Sequence, residues 1–105
     1  MFDITNYQEV PRGTLNSLIL YAQEGVPTGG FLHAVLSNDL RGAVARADKA
    51  NLQAIKSIVE FVCNQLPQLC HGSPDKVAAW IETARAGKIV DNLQIDRLNQ
   101  CLNGT

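Results

Sequence analysis

The feature that most limits what this chain can fold into is an apolar stripe at helical spacing. Leu52, Ile55, Ile58, Val59, Val62 and Leu66 recur at intervals of three and four, so they share one face of a helix expected from about Lys49 to Gln65. Such a face has to be buried against something. No other part of the chain offers a sheet to bury it on, because β-branched and aromatic residues nowhere alternate over a useful length. The partners must therefore be other helices.

The rest of the sequence supplies them. A first helix is expected from about Pro11 to Glu24, with Leu15, Leu18, Ile19 and Ala22 inward, Asn16 and Gln23 outward, and Gly25 as its stop. Thr28 can cap a second helix carrying Phe31, Leu32, Val35 and Leu36 on one face. The polar step Ser37-Asn38-Asp39 interrupts that run. Asp39 can cap a third, short helix through Ala47, with Leu40, Ala43, Val44 and Ala47 inward. Two short helices meeting at an angle are expected here, with one kinked helix as the alternative.

Gly42 inside the third helix costs about 1 kcal/mol relative to alanine, which a close packing contact would explain. Asp48 can cap the long central helix, which Pro67 ends. Ser73 followed by Pro74 then marks the start of a further helix, with Val77, Trp80, Ile81 and Ala84 inward and Gly87 at its end. Beyond Gly87, the residues Leu93, Ile95, Leu98, Cys101 and Leu102 fit a short amphipathic helix from about Asp91. The fold class expected is all-α: one compact domain of five or six short helices over residues 1–105, with an N-terminal arm over 1–10 and a C-terminal extension over 88–105.

Composition narrows the function classes. At 105 residues the chain is one domain's worth, and 46% hydrophobic with 18% charged residues is ordinary for a folded globule. Nine Lys and Arg against ten Asp and Glu leave a net charge of −1, with the basic residues scattered. Nonspecific nucleic-acid binding needs clustered cations and is disfavoured. MFDITNYQEV lacks the pattern of a secretory signal, and no apolar run approaches a membrane span. Three cysteines, an odd number, read most simply as reduced thiols in a cytoplasm.

Cys63, Cys70 and His71, with His33 or Cys101, could surround a zinc ion, but the spacing departs from known ligand pairs, and Cys63 reads better as a small apolar side chain at the core. Cys70 and His71 are sequence neighbours that need not face each other, and both read as turn residues, with His71 able to donate to a carbonyl after Leu66. Asp39 and Asp48 are explained as caps, either of which Arg46 could pair with. Gly29-Gly30 opens a helix without the spacing of a nucleotide-binding loop, which leaves a tight turn or a close helix approach. No catalytic residue, cofactor or metal is assigned on these grounds.

Gly30, Phe31, Leu32, Ala34, Val35, Leu36, Asn38, Asp39, Leu40, Ala43, Arg46, Ala47, Asp48 and Asn51 form a pattern that resembles a group of small uncharacterised proteins encoded by bacteriophages and prophages. The run IVEFVCNQLPQLCHGSPDKVAAWI, from Ile58 to Ile81, is similar to the second half of the same pattern. The resemblance implies a phage or mobile-element accessory protein in the cytoplasm of a bacterial host. It carries over no activity and no site residue, and Lys88 to Thr105 lies outside it.

The leading expectation is a non-catalytic protein that binds a host or phage protein. Its surface is expected around Asn38, Asp39, Arg41 and Arg46, with His71 and Ser73 nearby if the loop before the Ser73 helix folds over that region. One rival is a nucleic-acid regulator with a helix-turn-helix-like segment, using Arg41, Arg46 and Lys49. Another is a small-ligand binder or minor enzyme using Asn38, Asp39 and His71, which requires a pocket among them and a pKa shifted by burial. A homodimer through the C-terminal leucines is a further expectation.

Overall fold

A computed structural model describes residues 2 and 4–87. Those residues form six α-helices and no strand: α1 Arg12–Glu24, α2 Gly30–Leu36, α3 Leu40–Arg46, α4 Lys49–Gln53, α5 Ile55–Gln65 and α6 Pro74–Arg85. Short 3-10 turns lie at Thr5–Tyr7 and Gln68–Cys70. The all-α expectation holds. No helix among the described residues is long and apolar enough to cross a membrane. The expected helix from Asp91, Cys101 and the C-terminal dimer contact lie outside the described residues.

The core gathers on α5. Ile58 and Phe61 are fully buried, Val62 and Leu66 nearly so, and Leu15, Leu18, Tyr21 and Ala22 of α1 join the same cluster with Val77 and Trp80 of α6. Two buried polar groups are satisfied across it. The Tyr21 hydroxyl donates to the Cys70 carbonyl at 2.7 Å, and Trp80 Nε1–H donates to the Tyr21 carbonyl at 2.9 Å. Tyr21 thus links α1 to the loop before α6 and to α6 itself, and burial pushes its phenol pKa up.

The N-terminal segment is part of this core, which its sequence did not announce. Tyr7 and Val10 are buried, and the rings of Phe2 and Tyr7 meet Phe61 edge-on at centroid separations of 6.1 and 5.1 Å. Ser57 Oγ also donates to a Glu9 carboxylate oxygen, and Thr14 Oγ1 donates to Asn51 Oδ1 at 2.6 Å, tying α1 to α4.

Several local expectations need correcting. The long helix over 49–65 is two, because Ala54 leaves helical geometry at φ −100° and ψ 11°. Its N–H is shared between the carbonyls of Ala50 and Asn51. The offset puts α4 out of phase with α5, so Leu52 faces outward while the small Ala54 is buried. Thr28 does not cap α2; Gly29, in extended geometry, holds that position without a side-chain bond.

Leu40 and Val44 do not point inward. They are 72% and 45% exposed, and the buried residues of α3 are Gly42 and Ala43. The small face lets α3 approach closely, which turns its large side chains out. The cysteines also exchange roles. Cys70 is fully buried and Cys63 is exposed, since the 3-10 turn after Pro67 carries Cys70 under Tyr21 while Cys63 lies on the outer side of α5.

Candidate functional site

The site is built on the three residues that join α2 to α3. The N–H of Asp39 bonds the Ala34 carbonyl at 2.8 Å and that of Asn38 bonds the Val35 carbonyl at 3.1 Å, the paired reverse bonds of a Schellman stop. This stop needs a left-handed residue. Asn38 supplies it at φ 63°, a conformation asparagine tolerates better than most side chains. Asp39 then starts α3, its Oδ1 accepting from Gly42 N–H at 3.0 Å. One residue ends a helix and the next begins another, so the angle between them is set locally.

Gly42 is where the expected close contact falls. A Cβ there would stand 2.2 Å from Asp39 Oδ2 and 2.9 Å from Arg46 Nη1. Arg46 folds back along α3, donating from Nη1 to the Gly42 carbonyl at 3.2 Å, and its Cδ lies where a Cβ on Gly30 would press at 3.0 Å. Gly30 is therefore a close-approach glycine, whereas Gly29 stands in open space. The expected ion pair of Arg46 with Asp39 or Asp48 is not formed; among the described residues the ion pairs are Lys56 with Glu60 and Arg85 with Glu82. Asp48 caps α4 by accepting from Asn51 N–H at 2.8 Å.

The loop before α6 folds over this joint. Gly72, at φ 119°, donates its N–H to the Leu36 carbonyl at 2.8 Å, fastening the loop to the last turn of α2. Ser73 then caps α6 by accepting from Lys76 N–H at 3.2 Å. His71 is held between these anchors. It bonds the backbone of Leu66, while its Nε2 is buried and has no partner. Burial lowers its pKa from 6.5, the positive charge of Lys76 adds to that, and the Leu66 bond opposes it.

Two clefts flank the joint. The first, about 430 Å³, has Val35, Leu40 and Ala43 on one wall and Ile55, Val59, Val62 and Cys63 of α5 on the other. Asn38, Asp39, His71 and Gly72 complete it. The second, about 450 Å³, is lined by Thr28, His33, Ser37, Asp39 and Arg46 among others. Ser37 is buried there, its hydroxyl without a partner.

The structure thus brings Asn38, Asp39 and His71 into one cleft and places Arg46 in the other, with Asp39 shared. Arg41 stands exposed and lines neither. Ser73 is close in sequence to His71 but acts as a cap. Sequence reasoning missed Val59 and Leu40 as surface residues, because an apolar residue at helical spacing reads as core whichever way the helix is turned.

Among the described residues no three potential metal ligands cluster, and neither Cys63 nor Cys70 pairs with His71 Nε2. The outward face of α3 presents Leu40 and Val44 beside Arg41, a poor match to phosphates or base edges. Compared with protein-family models, curated proteins and solved structures, the chain matches none.

Proposed function

We infer that this chain is a small, non-catalytic accessory protein of phage type that binds a host or phage protein through the cleft between the α2–α3 joint and α5. The observation that carries this reading is the apolar character of that cleft's rim. Leu40 is 72% and Val59 41% exposed on facing walls, with Val44 one turn from Leu40. Large apolar side chains grouped on an open cleft are the usual mark of a protein-docking surface.

The experiment is capture from a bacterial host lysate by the tagged protein, with nuclease treatment and a high-salt wash. A stoichiometric protein partner that survives both, and is lost with Val59→Glu or Leu40→Glu, is the expected result. Both positions are exposed, so each change should alter stability by no more than about 0.5 kcal/mol. Recovery of nucleic acid that disappears at high salt refutes the reading in favour of a regulator.

A small-ligand reading draws on the same cleft. Its volume of about 430 Å³ lies within the range of ligand pockets, and it contains Asn38, Asp39 and a His71 whose pKa burial has lowered. Retention of a low-molecular-weight compound through purification, released on denaturation, would favour it over docking.

A further inference from the structure

We propose that, in the free protein, the cleft between the α2–α3 joint and α5 is covered by this chain's own C-terminal segment, Asp91 to Leu102, and that a docking partner reaches the cleft by displacing it. This goes beyond the docking reading above, because it names what the apolar walls meet before a partner arrives.

The path of the chain makes the reach. Gly72 lines the cleft, and α6 begins two residues later and runs twelve residues, about 18 Å, contributing nothing to the cleft walls. Gly87, left-handed at φ 73°, follows its end. Residues 88–105 lie beyond the described part, and in them the helical pattern expected from Asp91 to Leu102 has the same twelve-residue length as α6. Helices joined by a short connection become antiparallel neighbours. With Asp91 level with Arg85, Ile95 comes level with Ile81, and Cys101 and Leu102 come level with Asp75 and Pro74, beside Gly72.

The segment also has the composition that the cleft calls for. Ile95, Leu98 and Leu102 recur at intervals of three and four, while Leu40 and Val59 stand exposed on the facing walls. Each apolar row removes the other from water. Ile81, packed on the core but only partly buried, offers Ile95 an apolar neighbour along the way. At the polar end, Asp39 belongs to neither ion pair found among the described residues, so an acidic occupant is disfavoured there. Residues 97–105 carry Arg97 and no Asp or Glu.

The cysteines provide the test. Cys63 is exposed and lines the cleft, Cys101 lies on the segment, and Cys70 is fully buried. The full chain at micromolar concentration is treated with bismaleimidoethane, which joins two nearby thiols, and the products are mapped by peptide mass. A Cys63–Cys101 cross-link within one chain is expected, formed more slowly in Leu98→Glu and in Val59→Glu. In a Cys101→Ser background, Leu98→Glu should raise the rate at which N-ethylmaleimide modifies Cys63 about 3- to 10-fold, as release of a segment docked in about two thirds to nine tenths of the chains would. Should Leu98→Glu fail to fold, the wild-type cross-link and its response to Val59→Glu still decide. Cross-links only between chains, which put a second copy on the cleft, overturn the proposal. So does the absence of a Cys63–Cys101 cross-link, or one whose rate neither substitution lowers, since that reports random encounter. Lysate capture that stays sensitive to Val59→Glu in those cases leaves docking standing at an open cleft.

Discussion

Replacing Gly42 with alanine should stabilise this protein less than alanine's better helix propensity predicts, or destabilise it. Gly42 is the third residue of α3, and in an open helix the change would gain up to about 1 kcal/mol. Here the new Cβ would sit 2.2 Å from Asp39 Oδ2, so the carboxylate must leave the position from which it caps Gly42 N–H. Losing such a cap costs about 0.5 to 2 kcal/mol. The sum for Gly42→Ala alone runs from a gain of about 0.5 to a loss of about 1 kcal/mol. In an Asp39→Ala background there is no cap to displace, and the same substitution should be stabilising. The four proteins form a double-mutant cycle whose coupling is the worth of the cap, about 0.5 to 2 kcal/mol. Urea unfolding measures it, and thermal unfolding reports it at about 4 to 8 °C per kcal/mol for a domain near this size. Equal stabilisation by alanine in both backgrounds would refute the reasoning, since Asp39 would then not be what excludes a side chain at position 42.

Other perturbations read different parts of the structure. Tyr21→Phe removes the buried 2.7 Å bond to the Cys70 carbonyl and should cost about 0.5 to 1.5 kcal/mol in urea unfolding; no loss would place that hydroxyl elsewhere. With Cys101 replaced by serine, a thiol reagent should modify exposed Cys63 in the folded protein and buried Cys70 only on unfolding, and equal rates would contradict the burial pattern. The pH dependence follows from His71, whose folded pKa is depressed below 6.5. Between the two values the unfolded chain binds the proton and the folded one does not. Stability should therefore fall as pH drops through 6.5 toward the lowered folded value, and His71→Phe should flatten that slope.

Three of the four expected caps were legible in the sequence, Thr28 being the exception, and much of the packing was not. Asp39, Asp48 and Ser73 each bond the N–H three residues on, as a polar residue before a helical run predicts. Asn38 and Asp39 were legible as an interruption, because the bonds that stop α2 are local and need only a residue tolerant of positive φ. The cleft was legible only as a conditional. Asn38, Asp39 and His71 meet because Gly72 reaches Leu36, a contact between residues 36 positions apart.

The sequence by itself determined that the fold is all-α, most of the helix boundaries, and the caps at Asp39, Asp48 and Ser73, but neither the break at Ala54 nor the bare start of α2 at Gly29. Those are short-range matters, fixed by spacing, caps and backbone tolerance within a few residues. The tertiary structure decided which apolar residues are core and which are surface. Leu40, Val44, Leu52 and Val59 carry the same periodic signal as Leu18 and Ile58, yet the first four face outward. Periodicity identifies a helical face but not the direction it turns. That direction came from Ala54 breaking the central helix, from the small face of α3 at Gly42 and Ala43, and from Tyr7 and Val10 occupying core space. The candidate docking cleft is the result.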